Sequence, residues 1–249
     1  MKPLILHIPH SSTHIPFKDG FVHDNNLIEH EINKLTDWYT DELFYSPEDI
    51  TLKADFSRIF CDPERFREDS KEVMAQFGMG VLYEKTDDGK KLREINDSLR
   101  NRILNKYYFP HHENLNNAVK NQLNKFGNAF IVDCHSFSDI PFIRDTDKRP
   151  NRPDINIGTD RFHTDRSILD FTVSYFNAQG LSPGIDWPYS GTIVPVTYYR
   201  KNNKVGSIMI EVNRKLYLKD DSIVKNDHFE NIQTIIQKYL SALKNNIFH

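Results

Sequence analysis

The chain has 249 residues, of which 38% are hydrophobic and 12% aromatic, enough to bury the core of one α/β domain and too many to suit a disordered segment. Its 32 basic and 35 acidic residues leave a net charge of -3 with no long run of either sign, a balance that suits a small-molecule partner rather than nucleic acid or a membrane surface. No apolar run approaches a membrane span and the stretch after Met1-Lys2-Pro3 is too short for a signal-peptide core, so a cytoplasmic protein is expected.

Leu4 to Ile8 predicts a short buried strand stopped by Pro9. Leu27, Ile28, Ile32, Leu35, Trp38, Tyr39 and Leu43 recur at helical spacing, which predicts an amphipathic helix over 26–44, broken near Thr36-Asp37. "DITLKADFSRIFCD" then reads as extended. Residues 91–126 predict two helices divided at "YYFPHHENL", because Pro110 suits a helix start and not an interior. Gly127 caps the second, and "AFIVDCHSF" follows as the apolar strand of a sheet covered on both sides.

From "IPFIRDTDKRPNRPDINIGTD" the pattern is lost for about twenty residues, the length of a functional rim or lid. "GIDWPYSGTIVPVTYY" and "VGSIMIEVNRKLY" flank a turn-like "RKNNK" and predict a hairpin or two late strands. A closing helix follows, with Phe229, Ile232, Ile235, Ile236, Tyr239, Leu240 and Leu243 on one face. The alternation of strands and helices predicts a single α/β domain over 1–249, a largely parallel sheet with helices on both faces. In such sheets ligands bind at the carboxyl ends of strands.

Three apolar strands end in residues able to do chemistry: His10 after "LILHIP", His135 in "FIVDCHS" and Glu211 in "SIMIEVN". A catalytic zinc needs imidazole or carboxylate ligands, an open position for water, and a carboxylate that takes the water's proton. The structural reading of Glu211 is a salt bridge to Arg58 or Arg214. Strand alternation puts Asp133 and His135 on one side and Cys134 on the other, so Cys134 is expected as a core thiol. With Cys61 it makes only two cysteines, both expected reduced. No nucleophile elbow, phosphate-cradling loop or dinucleotide fingerprint is present.

Taken in order, "HIPHSSTHIP", "SRIFCDPERF", "RILNKYYFPHH", "FGNAFIVDCHSF" and "IMIEVNRKLY" resemble the N-formylglutamate amidohydrolase family from about residue 4 to about residue 218. That family looks like a relative of the zinc carboxypeptidases, which implies a mixed eight-stranded sheet between helices. The resemblance implies His135 as a metal ligand in Asp-x-His-Ser and His10 as one in His-x-x-Glu, where Thr13 stands in the glutamate position. A threonine is a poor zinc ligand, so Asp37 is the first candidate for the third position, with Asp55 and His7 behind it.

Glu211 matches the general base, and Arg58 is implied as the oxyanion-stabilising residue. Arg65, Arg214, Ser11 and Asn213 are the implied substrate-binding residues, Ser11 with Ser12 and Thr13 also serving to orient His10. Arg67 reads as surface pairing. The implied activity is zinc-dependent hydrolysis of N-formyl-L-glutamate, or of another N-acyl amino acid, to the free amino acid in histidine breakdown. The alternatives are a carboxypeptidase-like metallopeptidase and a non-catalytic binding protein that has lost the metal, the second favoured by Thr13.

Overall fold

The computed structural model describes residues 2–220 and 222–248. Six strands form one sheet: β1 (Ile5–Ile8), β2 (Ile50–Lys53), β3 (Ala129–Phe137), β4 (Ile155–Gly158), β5 (Pro183–Ile185) and β6 (Val205–Asn213). They lie in the order β2-β1-β3-β6-β4-β5. The first four positions run parallel, β4 runs antiparallel to β6, and β5 is parallel to β4. The likeness to zinc carboxypeptidases implied eight strands. Residues 54–95 instead contribute isolated bridges and pack as a separate apolar cluster around Phe56, Phe60, Val81 and Tyr83.

The helices are α1 (Asn25–Leu35), α2 (Thr40–Leu43), α3 (Asp97–Ile103), α4 (Phe109–Phe126), α5 (Arg166–Ala178) and α6 (Phe229–Phe248). Asp24 starts α1 by accepting the Leu27 N–H at 3.0 Å. The helix expected over 26–44 ends at Leu35, because Thr36 turns extended, and α2 starts after Tyr39, which holds φ at 61°. The division expected inside 91–126 is a π-helical turn over 104–108, so α3 runs on into α4. The widened turn lies just ahead of Pro110, which stands in the first turn of α4 where its missing N–H is tolerated. Gly127, at φ 79°, ends α4 in the left-handed region that glycine adopts without strain.

One sheet face carries Leu4, Leu6, Ile8, Val132, Cys134, Ile208 and Ile210 against α5 and α6. The other carries Ile5, Ala129 and Ile131 against Leu115 and Val119 of α4. Helices therefore cover both faces. The late hairpin does not form: β6 pairs with β3 and β4, and the "RKNNK" turn leads into it from an irregular segment. β4, four residues inside the expected pattern-free stretch, was not foreseen. Among the described residues no helix is long and apolar enough to cross a membrane.

Candidate active site

His10 lies two residues beyond β1, released from the strand by Pro9, and is 2% exposed. The break between α1 and α2 brings Asp37 to it: the Asp37 N–H donates to the His10 carbonyl at 3.0 Å. His135 comes from the carboxyl end of β3 and Glu211 from the same level of β6, where the two residues pair in register. All four line one cleft of about 390 Å³ together with Arg58 and Arg65. The chemistry thus gathers beyond the carboxyl ends of parallel strands.

The two imidazoles are oriented from behind. His10 Nε2 meets Asp62 Oδ1 at 2.9 Å, and His135 Nε2 meets Asp133 Oδ1 and Glu64 Oε2, each at 3.1 Å. A carboxylate accepts only, so both Nε2 atoms donate, and the Nδ1 atom of each ring is the one turned toward Asp37. Both face one carboxylate: Asp37 Oδ2 accepts from His135 Nδ1 at 3.0 Å and stands 3.7 Å from His10 Nδ1. His10 Nδ1 is buried and has no hydrogen-bond partner. Two imidazole nitrogens and a carboxylate oxygen within 4.8 Å of one another are a donor set that fits a metal ion, which would take the place of the Nδ1 hydrogens.

The surroundings hold this set in its charged and neutral forms. Burial alone would raise the Asp37 carboxyl, but the His10 and His135 rings that face it hold it far below the usual carboxylate range. Arg214 adds a 3.0 Å contact to Asp37 Oδ1 and also donates to the Lys34 carbonyl at 2.9 Å. Glu211 is the opposite case. It is 7% exposed, no described residue hydrogen-bonds its carboxylate, and burial pushes it up to about 8.

Arg58 donates to Asp62 Oδ2 from Nε and Nη2 at 3.3 and 3.1 Å. Arg65 lies 3.7 Å from Asp62 and 3.5 Å from Glu72, and is 26% exposed. Asp62 is the hub that sequence reasoning missed: fully buried, it also accepts from the Tyr83 hydroxyl at 2.9 Å and the Glu64 N–H at 3.0 Å. The signal was available, since Asp62 follows the apolar "IFC" as Glu211 follows "SIMI". Glu64 went unremarked for the same reason that most acids do, lying in a polar segment with four neighbouring charges.

Several expectations change. Asn213 does not reach the cleft: its amide donates to the Pro153 carbonyl at 2.9 Å and its oxygen accepts from the Lys215 N–H, so it closes the end of β6. Ser11 does not line the cleft either, because the chain turns outward after His10 and leaves Thr13 exposed. Asp55 is exposed and outside the cluster, and His7 is buried inside β1 with both nitrogens engaged. Arg214 lines the cleft yet is already committed to Asp37, Lys34 and Ser136, which makes it a brace. Glu211 forms no salt bridge to Arg58 or Arg214 among the described residues.

The segment read as a rim borders the cleft through Phe142, Arg144 and Asp145. It is strapped down: Asp87 accepts the N–H groups of Ile143 and Arg144 at 2.9 and 2.8 Å, and Arg152 and Tyr189 hold Asp145 at 2.7 and 3.1 Å.

Residues 2–218 match the family model for N-formylglutamate amidohydrolase. The fold is similar to that of the N-formylglutamate amidohydrolase from Ralstonia eutropha JMP134, with a TM-score of 0.83 and 21% identity over 98% of this chain and 94% of that one. It is also similar to a gene product from Agrobacterium tumefaciens, with a TM-score of 0.70 and 16% identity over 100% of this chain and 92% of that one. No curated protein sequence matches the chain.

Proposed function

Because this chain belongs to the N-formylglutamate amidohydrolase family, we propose that it is a zinc-dependent hydrolase that converts N-formyl-L-glutamate to formate and glutamate in the cytoplasm, a step of histidine breakdown. The observation that carries this reading is the convergence of His10 Nδ1 and His135 Nδ1 on Asp37, with Glu211, whose carboxylate has no hydrogen-bond partner among the described residues, level with His135 on the neighbouring strand. His10, His135 and Asp37 would hold the ion. Zinc bound by such a set lowers the pKa of water toward about 7 and polarises a carbonyl.

The chain's own residues account for the rest. Glu211 accepts the proton of the attacking water at a carboxylate oxygen and delivers it to the leaving amine nitrogen. Burial suits it to that exchange, since a carboxylate of raised basicity holds the proton for the second transfer. The Arg58 guanidinium, held by Asp62, stabilises the oxyanion that develops on the formyl oxygen. Arg65 binds a substrate carboxylate through paired hydrogen bonds. The strapped rim at Phe142 to Asp145 narrows the cleft and excludes bulk water.

The test is formate release from N-formyl-L-glutamate by zinc-loaded protein beside Glu211→Gln, with a free-C-terminus peptide offered in parallel. The expected result is turnover by the wild type and a drop of about 10³-fold in kcat for the variant with its zinc retained. Undiminished turnover in the variant would overturn the base assignment, and peptide cleavage without formate release would move the reading to a metallopeptidase. A wild type that takes up no zinc would overturn both.

A further inference from the structure

Behind His135 lies a second layer of histidines that the proposed chemistry leaves unused. Asp133 Oδ1 accepts from His135 Nε2 at 3.1 Å and meets His7 Nδ1 at 2.8 Å, while Asp133 Oδ2 accepts the Ile193 N–H at 3.0 Å. His7 Nε2 in turn meets His111 Nε2 of α4 at 2.8 Å. His7 is fully buried, and Asp133 and His111 are 2% and 8% exposed, so no bulk water competes for these hydrogens. The proton count along the chain has one solution for neutral rings. His7 donates to a carboxylate from Nδ1, its Nε2 is bare, and His111 must donate to it from Nε2.

We infer that His7 is a positioning residue for His135: by donating from Nδ1 it holds the Asp133 carboxylate where it accepts from His135 Nε2, and His111, donating to His7 Nε2, holds His7 in the tautomer that can do so. The inference rests on the proposed metal role of His135. The contacts run from α4 through β1 into β3, so a helix on one sheet face bears on the orientation of the His135 ring and with it on the aim of Nδ1 toward Asp37. The group His7, Glu64 and Asp133 also has the spacing of a cation site. With His7 Nδ1 donating to Asp133 and Nε2 accepting from His111, neither nitrogen has a lone pair left for a cation.

The test measures zinc affinity by chelator competition in the full-length wild type, His7→Asn and His7→Leu, with histidine ¹⁵N–¹H correlation spectra of the zinc-loaded wild type. The asparagine amide reproduces the Nδ1 donor and the leucine reproduces only bulk. The expected outcome is a loss of about 10- to 100-fold in affinity for leucine and less than about threefold for asparagine, although both lose the His111 contact. The spectra are expected to show hydrogen on Nδ1 of His7 and on Nε2 of His111 and His135. Equal losses in the two variants, hydrogen on Nε2 of His7, or two zinc ions per chain would overturn the inference while leaving the metal reading intact. Should the leucine variant fail to fold, the wild-type spectra decide alone. A wild type without zinc uptake would overturn the metal reading and this inference with it.

Discussion

Along β3 the side chains alternate between two kinds of interior. Val132 and Cys134 enter a largely apolar layer against α5 and α6, while Asp133 and His135, one residue away, enter a layer of charges. β6 repeats the pattern, with Ile208 and Ile210 on the first side and Glu211 on the second. On the apolar side the position of a side chain is set by volume, and a substitution is felt through the cavity it leaves. On the polar side it is set by who donates to whom, and three of the carboxylates are tied to partners on other elements, Asp37 to Arg214, Asp62 to Tyr83 and Asp133 to Ile193, while Glu211 is left open to the cleft. The second face is itself divided, with Ile5, Ala129 and Ile131 packing on α4 and the charged side chains gathered at the carboxyl ends of the strands, so the site is held by hydrogen bonds above a packed floor.

The sharpest way to separate the two layers is His135→Ala. It is expected to abolish zinc uptake and reduce formate release to background, read by metal analysis and turnover on the same preparation. Unchanged metal content would mean that the polar layer has no organising ion. The complementary change is Ile236→Ala on α6, fully buried in the apolar layer. It is expected to lower unfolding free energy by about 2–5 kcal/mol in a denaturant titration while leaving kcat of the folded protein unchanged. A large fall in kcat would show that the layers are coupled.

The smallest expected effect comes from a buried acid outside the cleft. Glu31 on α1 accepts the Asp87 N–H at 2.7 Å, and burial pushes its carboxyl from 4.5 up to about 7. Folded protein therefore holds a proton there between those values while the unfolded chain has released it. The stability from the protonated group is complete below pH 4.5 and is lost as pH rises through about 7. Glu31→Gln keeps the acceptor and removes the titration, so the stability difference between pH 5 and pH 8 is expected to shrink by at most about 3 kcal/mol. An unchanged pH profile would show that Glu31 stays ionised when folded.

The apolar layer was the more legible of the two. Runs such as "AFIVDCHSF" and the one-sided C-terminal stripe carry their burial in composition, and β3 and α6 follow from them directly. β4 escaped because "INIG" is four residues with an asparagine and a glycine, and its antiparallel pairing to β6 is a tertiary choice. The eight-stranded expectation failed for a similar reason, since residues 54–95 are apolar enough to be buried without being regular enough to pair. In the cleft, His10, His135 and Glu211 stood out because each follows an apolar run. Asp37 was found through the family likeness, and Asp62 was overlooked because its partners are spread from His10 to Tyr83.

Arg214 ties Asp37 to the Lys34 carbonyl across 177 residues of chain. During synthesis at about 5–20 residues per second, Asp37 leaves the ribosome roughly 10 to 35 s before Arg214. For that interval the acid has β1 and its own helix break beside it, but neither the cation that neutralises it nor the strand that carries Glu211. The nascent polypeptide can collapse its first strands and α4 early, whereas the cleft closes only when the last strand arrives.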